Sequence, residues 1–217
     1  MKKKSIILAL FFSALMSCNK DKLDNTAEKV GISKVTHFPI LTMSGESVMA
    51  VANGETFTDP GVTAKVGDAD APVVTSGAVN TSQDGVYSIS YSATNSDGFS
   101  ATLYRTVAVY TTDAGAAAHD LSGSYLRGAT GVLSTWDKLA PGTYLVTNPG
   151  GAASGAGLTI VVFNPTGYTI HAPSQRSSDG NTSSTSNETF TPGSPDMYSW
   201  VFLNPGYGTG SRSFVKQ

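Results

Sequence analysis

Cysteine is almost missing from this chain. Cys18 is the only one, so no disulfide within the chain can staple the fold, and thiol chemistry rests on one residue at most. Charge is also scarce, at 14% of residues with a formal net charge of −2, and no basic stripe offers nucleic acid a surface. No stretch repeats its apolar residues at a convincing helical spacing, and the longest apolar run, Ile6 to Leu15, falls well short of the ~20 residues that cross a bilayer as a helix. His37, His119 and His171 are far apart and none sits in a ligand-spaced motif, so no metal site is predicted. There is no G-x-S-x-G elbow, and no glycine-rich phosphate loop follows a strand and opens a helix. The expectation is therefore a protein without cofactor or enzymatic activity.

What is present begins with export. Lys2, Lys3 and Lys4 precede Ile6 to Leu15, which is the layout of a cleaved signal peptide. Leu15-Met16-Ser17-Cys18 resembles the bacterial lipobox, which implies that Cys18 becomes the lipidated N-terminus and residues 1–18 the lipoprotein signal. Acylation would also remove an oxidisable free thiol outside the cytoplasm. Each buried CH₂ of the acyl chains adds about 0.8 kcal/mol of membrane affinity. Loss of the three lysines with the signal takes the formal charge from −2 to about −5. Residues 19–29 are polar with almost nothing to bury and read as a flexible tether. Asp21 and Asp24 faintly resemble the acidic surface-export signal of Bacteroidetes lipoproteins. That implies the cell envelope, a lipid anchor in the outer membrane and an outward-facing body.

The remainder is rich in Ser, Thr, Gly, Val and Tyr, with 23 glycines and 10 prolines, a composition of sheets joined by tight turns. Over residues 30–112, short strand-like runs alternate with turns such as Asn53-Gly54 and Asp59-Pro60-Gly61. Pro39 places its strand at an edge or bulge. Tyr87, Ile89, Tyr91 and Ala93 alternate with Ser88, Ser90, Ser92 and Thr94, which marks a half-buried strand. Its partner, Phe99 to Tyr110, carries its apolar residues at odd positions too. A two-residue Asp97-Gly98 turn would set odd against even and split the apolar set between faces. A three-residue loop, Ser96-Asp97-Gly98, pairs odd with odd and puts Gly98 at the left-handed position. Arg105 then points inward and should snorkel at an edge or sit on a bulge. Asp68, Asp70, Asp84 and Asp97 supply loop oxygens suited to a hard cation, but Asp-Gly is ordinary turn chemistry and no calcium-loop register exists.

These features predict an immunoglobulin-like sandwich. Gly54-Glu55-x-Phe57-x-Asp59-Pro60-Gly61-Val62-x-Ala64, Gly85-x-Tyr87-x-Ile89-x-Tyr91-x-Ala93-x-Asn95-x-Asp97-Gly98 and Arg105-Thr106-Val107-x-Val109 together resemble the bacterial Ig-like surface domain of Bacteroidetes lipoproteins. The resemblance covers roughly residues 46–110. It implies a fold and a spacer or presenter role, without naming a ligand.

Residues 113–118 read as a small-residue linker. Residues 119–217 read as a second antiparallel β-domain, either a sandwich or a small barrel, with strands near 121–126, 142–147, 158–164, 168–172, 198–203 and 211–215. Thr135 to Leu139 reads as a short turn. Leu121-Ser122-Gly123-Ser124-Tyr125 and Asn148-Pro149-Gly150-Gly151 resemble the C-terminal β-domain that accompanies such Ig-like modules. Residues 174–188 have nothing apolar to bury and read as a structureless loop, disordered or functional.

Both tryptophans and several tyrosines fall in this second segment. Flat rings stack on the apolar face of a sugar while nearby polar groups hold its hydroxyls. Trp136, Tyr144, Trp200 and Tyr207 are therefore the candidate ligand-binding residues, with Trp136 first because Asp137 and Lys138 suggest an exposed loop. The predicted function is a surface lipoprotein that presents a β-domain to an extracellular ligand, most simply a glycan. The alternative is a structural or adhesive envelope or fimbrial protein that binds another surface protein. A hydrolase is a remote third reading, because the only acidic residues of the second segment, Asp120, Asp137, Asp179, Glu188 and Asp196, lie mostly in turn-like contexts, whereas glycosidases need a carboxylate pair about 5–10 Å apart.

Overall fold

The computed structural model describes residue 26, residues 29–30 and residues 33–217. The signal, Cys18 and nearly all of the tether lie outside the described residues. Residues 38–217 form one compact unit. In the N-terminal unit, β1 (Lys29–Val30) pairs antiparallel with β2 (Ser33–Lys34).

The first lobe of the main unit comprises β3 (Pro39–Met43), β4 (Val48–Ala52), β5 (Val62–Val66), β6 (Ala69–Ala71), β7 (Val74–Ser76), β8 (Gly85–Thr94) and β9 (Ser100–Tyr110). They form two sheets, ordered β3-β5-β6 and β4-β9-β8-β7, whose facing sides bury Ile89, Tyr91 and Val107 against Leu41, Val51, Phe57 and Val62. This is the Ig-like lobe. Pro39 sits in the edge strand β3, where its missing N–H costs no rung. Asp70, taken above as a loop residue, lies in β6, which forms the second edge. β4 runs parallel to β9, whereas all other pairings among the described strands are antiparallel.

The β8–β9 hairpin has the predicted register. Thr94 faces Ser100 and Ala93 faces Ala101, so odd residues oppose odd ones across a Ser96-Asp97-Gly98 loop. Gly98 has φ +87° and its N–H donates to the Asn95 carbonyl at 3.1 Å. Arg105 does point inward, but it neither snorkels nor bulges. It is fully buried. Its Nε lies 3.2 Å from Asp59 Oδ1 and 3.1 Å from the Tyr91 hydroxyl. Its Nη atoms donate to the carbonyls of Ser44, Glu46 and Gly61. A carboxylate, a phenol and three carbonyls thus supply the acceptors that make an inward guanidinium tolerable.

Residues 113–118 are not slack chain. They form α1 (Ala114–Ala118), capped by the Asp113 carboxylate, which accepts from the Ala116 N–H at 3.0 Å.

The second lobe is one antiparallel sheet of eight strands: β10 (Gly123–Arg127), β11 (Val132–Ala140), β12 (Thr143–Thr147), β13 (Thr159–Phe163), β14 (Gln175–Arg176), β15 (Thr182–Thr191), β16 (Met197–Leu203) and β17 (Ser211–Lys216). Their order is β13-β12-β11-β10-β17-β16-β15-β14. The sheet curls into a nearly closed barrel, and the two end strands are joined by improvised rungs. Phe163 exchanges both backbone bonds with His171. The Gln175 side-chain amide accepts from Val161 N and donates to Val161 O, both at 2.7 Å. Ser178 Oγ accepts from Thr159 N at 2.9 Å while Ser178 N donates to Thr159 O at 3.2 Å. Residues 159, 161 and 163 share one edge of β13, and each has its N–H and C=O satisfied in this way. A carboxamide carries the same donor and acceptor as a peptide, which is why Gln175 can replace a rung.

The barrel interior is aromatic. Trp136 and Trp200 stack 5.8 Å apart, and Tyr198 stacks on Phe214 at 4.6 Å. Tyr125, Tyr144, Val146, Ile160 and Phe202 fill the rest. Burial pushes the Tyr125, Tyr144 and Tyr198 hydroxyls above the usual phenol range. Among the described residues no helix is long and apolar enough to cross a membrane.

Two expectations are corrected here. Residues 135–139 belong to β11, not to a turn. Residues 174–188 are not a structureless loop but supply β14 and most of β15. The buried residues of β15 are Ser183 and Thr185. Each hydroxyl is hydrogen-bonded, Ser183 to Ser177 and Asn204, and Thr185 to Ala172 and Glu188.

Candidate functional site

The aromatic candidates separate sharply by depth. Trp136 is 1% exposed and Trp200 and Tyr144 0%, so none of the three can offer a ring face to a ligand. Trp136 looked exposed because charged residues follow it, but on a strand neighbours point to opposite faces. Asp137 points out and Trp136 in. Its indole N–H donates to the Tyr198 hydroxyl at 3.2 Å, and that of Trp200 to the Pro149 carbonyl at 2.9 Å. These are core residues with satisfied polar handles. Tyr207 differs: it is only partly buried and lies at one end of the barrel.

Tyr207 lines a cleft of about 470 Å³ together with the turn at Ser154, Gly155 and Gly157, the β14–β15 loop at Ser178, Asp179 and Asn181, and Asn204. Three short connections therefore build it, each tied to the sheet. The first is braced by Asn148, a positive-φ residue (φ +57°), whose side chain donates to Leu133 O and accepts from Ala152 N, both at 3.1 Å. Here the backbone passes so close to Tyr207 that a Cβ at Gly150 would overlap its ring and one at Gly155 its hydroxyl. The ring packs edge-on against Phe202, with centroids 4.9 Å apart. Behind it, Arg127 donates to the Gly150 and Gly151 carbonyls and Arg212 to those of Gly208 and Gly210. The two guanidiniums thus hold two of the loops in place. The Tyr207 hydroxyl itself has no hydrogen-bond partner among the described residues.

Asp179 organises the polar side. Its Oδ1 accepts from Ser177 Oγ at 2.6 Å and Asn181 N at 3.1 Å. Its Oδ2 accepts from Asn181 Nδ2 at 2.9 Å and Asn204 Nδ2 at 3.0 Å. Desolvation pushes this carboxyl up, but the bonds from Ser177, Asn181 and Asn204 outweigh it and hold it well below the usual range. Four donors fill a carboxylate's four acceptor sites. Asp179 is therefore a positioning residue, and the Asn181 carboxamide it orients is what faces the cleft. The site offers a fixed amide, a phenol hydroxyl and an aromatic ring in one concavity. Among the residues lining it Asp179 is the single carboxylate, held ionised, and no second carboxyl stands beside it.

Asp68, Asp70, Asp84 and Asp97 do not come together. Asp84 accepts from Asn53 and Thr111 and Asp70 pairs with Lys65; among the described residues no group of three or more His, Cys, Asp or Glu converges. Asn181 and Asn204 escaped the sequence reading, although a signal existed. Ser178-Asp179-Gly180 repeats Ser96-Asp97-Gly98, and the structure gives it the same loop. Gly180 has φ +86° and donates to Ser177 O at 2.9 Å.

Residues 41–109 match the family model of the bacterial surface protein Ig-like domain, which is the class that the first lobe defines. No curated protein matches the chain. Among solved structures, the chain is similar to a lipoprotein from Bacteroides thetaiotaomicron, at 24% identity over 83% of this chain and 100% of that one, with a TM-score of 0.45. It is also similar to ZmpB from Clostridium perfringens. One such structure contains the M60 catalytic domain with CBM51-1 and CBM51-2 domains (19% identity, 79% of this chain, 16% of that, TM-score 0.30). Another contains CBM51-2 in complex with GlcNAc and INT domains (20% identity, 74% and 31%, TM-score 0.29). The chain thus spans less than a third of the length of either ZmpB structure.

Proposed function

We propose that this chain is a non-enzymatic lipoprotein of the cell envelope, anchored through Cys18 to the outer membrane and facing outward, whose barrel lobe binds carbohydrate. The observation that carries this reading is the barrel-end cleft, where Asp179 fixes Asn181 and Asn204 beside Tyr207. A carboxamide can donate to one sugar hydroxyl and accept from its neighbour, while a tyrosine ring covers the apolar face of the pyranose. The cleft is shallow and built from loops on a rigid barrel, which suits capture of an extended polymer better than enclosure of a small metabolite. The surface-protein family of residues 41–109 supports a spacer role for the first lobe.

The test is titration calorimetry of the exported chain against glycans first selected on an array. Tyr207→Ala and Asp179→Asn should each weaken binding about tenfold or more, the loss of one ring stack or one charge-assisted hydrogen-bond set. Trp136→Phe should leave affinity unchanged once folding is verified. Because Asp179 stays ionised down to unusually low pH, affinity should be flat from about pH 8 down to the ordinary Asp range of ~4 and fall only well below it. No retained glycan, or full binding by Tyr207→Ala, defeats the reading.

A further inference from the structure

The main unit has a second cleft, between its two lobes. It measures about 290 Å³ and is lined by Ser47, Thr102, Tyr104 and Thr106 of the Ig-like lobe and by Thr159, Val161 and the Gln175–Ser178 segment of the barrel. Every residue lining it is uncharged except Arg176. The guanidinium of Arg176 lies over the ring of Tyr104, 3.8 Å from its centroid, and Nη1 donates to the Ser177 carbonyl at 3.2 Å. On its flank the β14–β15 loop comes so near that a Cβ on Gly180 would sit 3.0 Å from Nη2.

The other arginines of the unit are occupied. Arg105 pairs with Asp59 and Arg127 and Arg212 each spend donors on several loop carbonyls. Lys65, Lys138 and Lys216 all meet carboxylates. Arg176 meets none among the described residues and makes one hydrogen bond, leaving most of its five N–H donors to the cleft. A guanidinium stacked on a ring has already lost much of its rotamer freedom, and its planar fork matches a carboxylate or sulfate edge to edge. Ser47, Thr102, Thr106 and Thr159 line the same cleft.

Position ties this cleft to the first one. Ser178 lines both, so the β14–β15 loop stands between them, with Arg176 entering one side and Asp179 facing the other. We propose that the inter-lobe cleft is a subsite for an anionic sugar: Arg176, backed by Tyr104, takes the carboxylate or sulfate of an acidic glycan whose neighbouring residue occupies the Asn181–Tyr207 cleft. This rests on the carbohydrate reading above and narrows it to uronic, sialic or sulfated saccharides.

The experiment is calorimetry on the exported chain with four probes: a galacturonate hexasaccharide, its methyl ester, a chondroitin sulfate hexasaccharide and sialyllactose. At least one acidic probe should bind about tenfold or more tighter than the neutral ester, the effect of a charge-assisted pair over a neutral one. Arg176→Gln should erase that preference, and Arg176→Lys should recover only part of it, because an ammonium has no fork. Thermal melts verify that both variants fold. If Arg176→Gln binds every acidic probe within twofold of the native chain, or if none of them exceeds the ester, the subsite is overturned. Ester binding that Tyr207→Ala abolishes, without any acidic preference, would sink the subsite and leave the carbohydrate reading standing. Acidic binding lost in Arg176→Gln but untouched by Tyr207→Ala would keep Arg176 as the anion contact and overturn the Asn181–Tyr207 cleft as the carbohydrate site beside it. If no probe binds, both fall.

Discussion

Arg105 shows how far a single buried cation depends on its surroundings. Its side chain is 0% exposed and that of Asp59 is 27% exposed, so the pair is asymmetric: the carboxylate reaches water and the guanidinium does not. Desolvation, reinforced by the hydrogen bond from its hydroxyl to Asp59, pushes Tyr91 above the usual phenol range, which keeps it a neutral donor. Replacing Arg105 with Leu would strand the carbonyls of Ser44, Glu46 and Gly61 without a donor. We predict a loss of about 3–5 kcal/mol, the usual cost of removing one partner of a buried charged network. Urea unfolding followed by tyrosine fluorescence measures it, and a loss below about 1 kcal/mol would mean the network is ornamental. That Arg105 would point inward was readable from strand parity. Its partners were not, because Asp59 lies 46 positions away and nothing local in the sequence couples the two.

At the scale of elements, the contrast between β8 and β15 explains what a sequence can disclose. In β8 the inward residues are Ile89, Tyr91 and Ala93, and their alternation with serines announces the strand. In the first half of β15 the inward residues are Ser183 and Thr185, so inward and outward positions look alike there and the hydrophobic period vanishes. Hydrogen bonds carry the specification that packing carries elsewhere. β11 was hidden by the same cause, since its inward Ser134 is small and polar, and its bulge between Lys138 and Ala140 breaks the alternation. The tripeptide Ser-Asp-Gly was legible at 96–98 because two apolar strands flanked it, and illegible at 178–180 because none did. The barrel-end cleft went unseen for that reason, whereas Tyr207, which lines it, was singled out by residue type alone.

The improvised rungs of the barrel seam give a sharp prediction at this scale. Gln175→Leu keeps the volume roughly but leaves the N–H and C=O of Val161, itself 1% exposed, without partners. Two orphaned backbone groups at about 1–3 kcal/mol each predict a loss of about 2–6 kcal/mol. Amide exchange separates this seam from a general loosening. Protection should collapse at Val161 and its neighbours on β13 while the Ig-like lobe keeps its own. Uniform loss across both lobes would argue against a local seam.

At the scale of the molecule, an aromatic-filled barrel carries the loops that form the barrel-end cleft, and an Ig-like lobe precedes it in the chain. The all-β class, the edge position of Pro39 and the turn-rich spacing followed from composition and parity. Side chains that meet only across the lobes, such as Tyr104 and Arg176, were beyond reach, since no sequence pattern reports contacts of that range.

The parallel pairing of β4 with β9 has a mechanical consequence. Val48 faces Thr106 and Ala52 faces Tyr110, while the chain arrives at β4 from the N-terminal side and leaves β9 toward the barrel. Tension between an N-terminal tether and a captured ligand would pull these two strands in opposite directions along their length. Their rungs would then be loaded together in shear, not peeled singly as in an antiparallel hairpin pulled from its open end. The Ig-like lobe should resist such stretching better than its small core suggests. Single-molecule pulling through the two termini should show one high-force event for this lobe, lowered by Val51→Pro, which removes a β4 donor. If the lobe yields gradually at low force, the pairing is not a mechanical clamp.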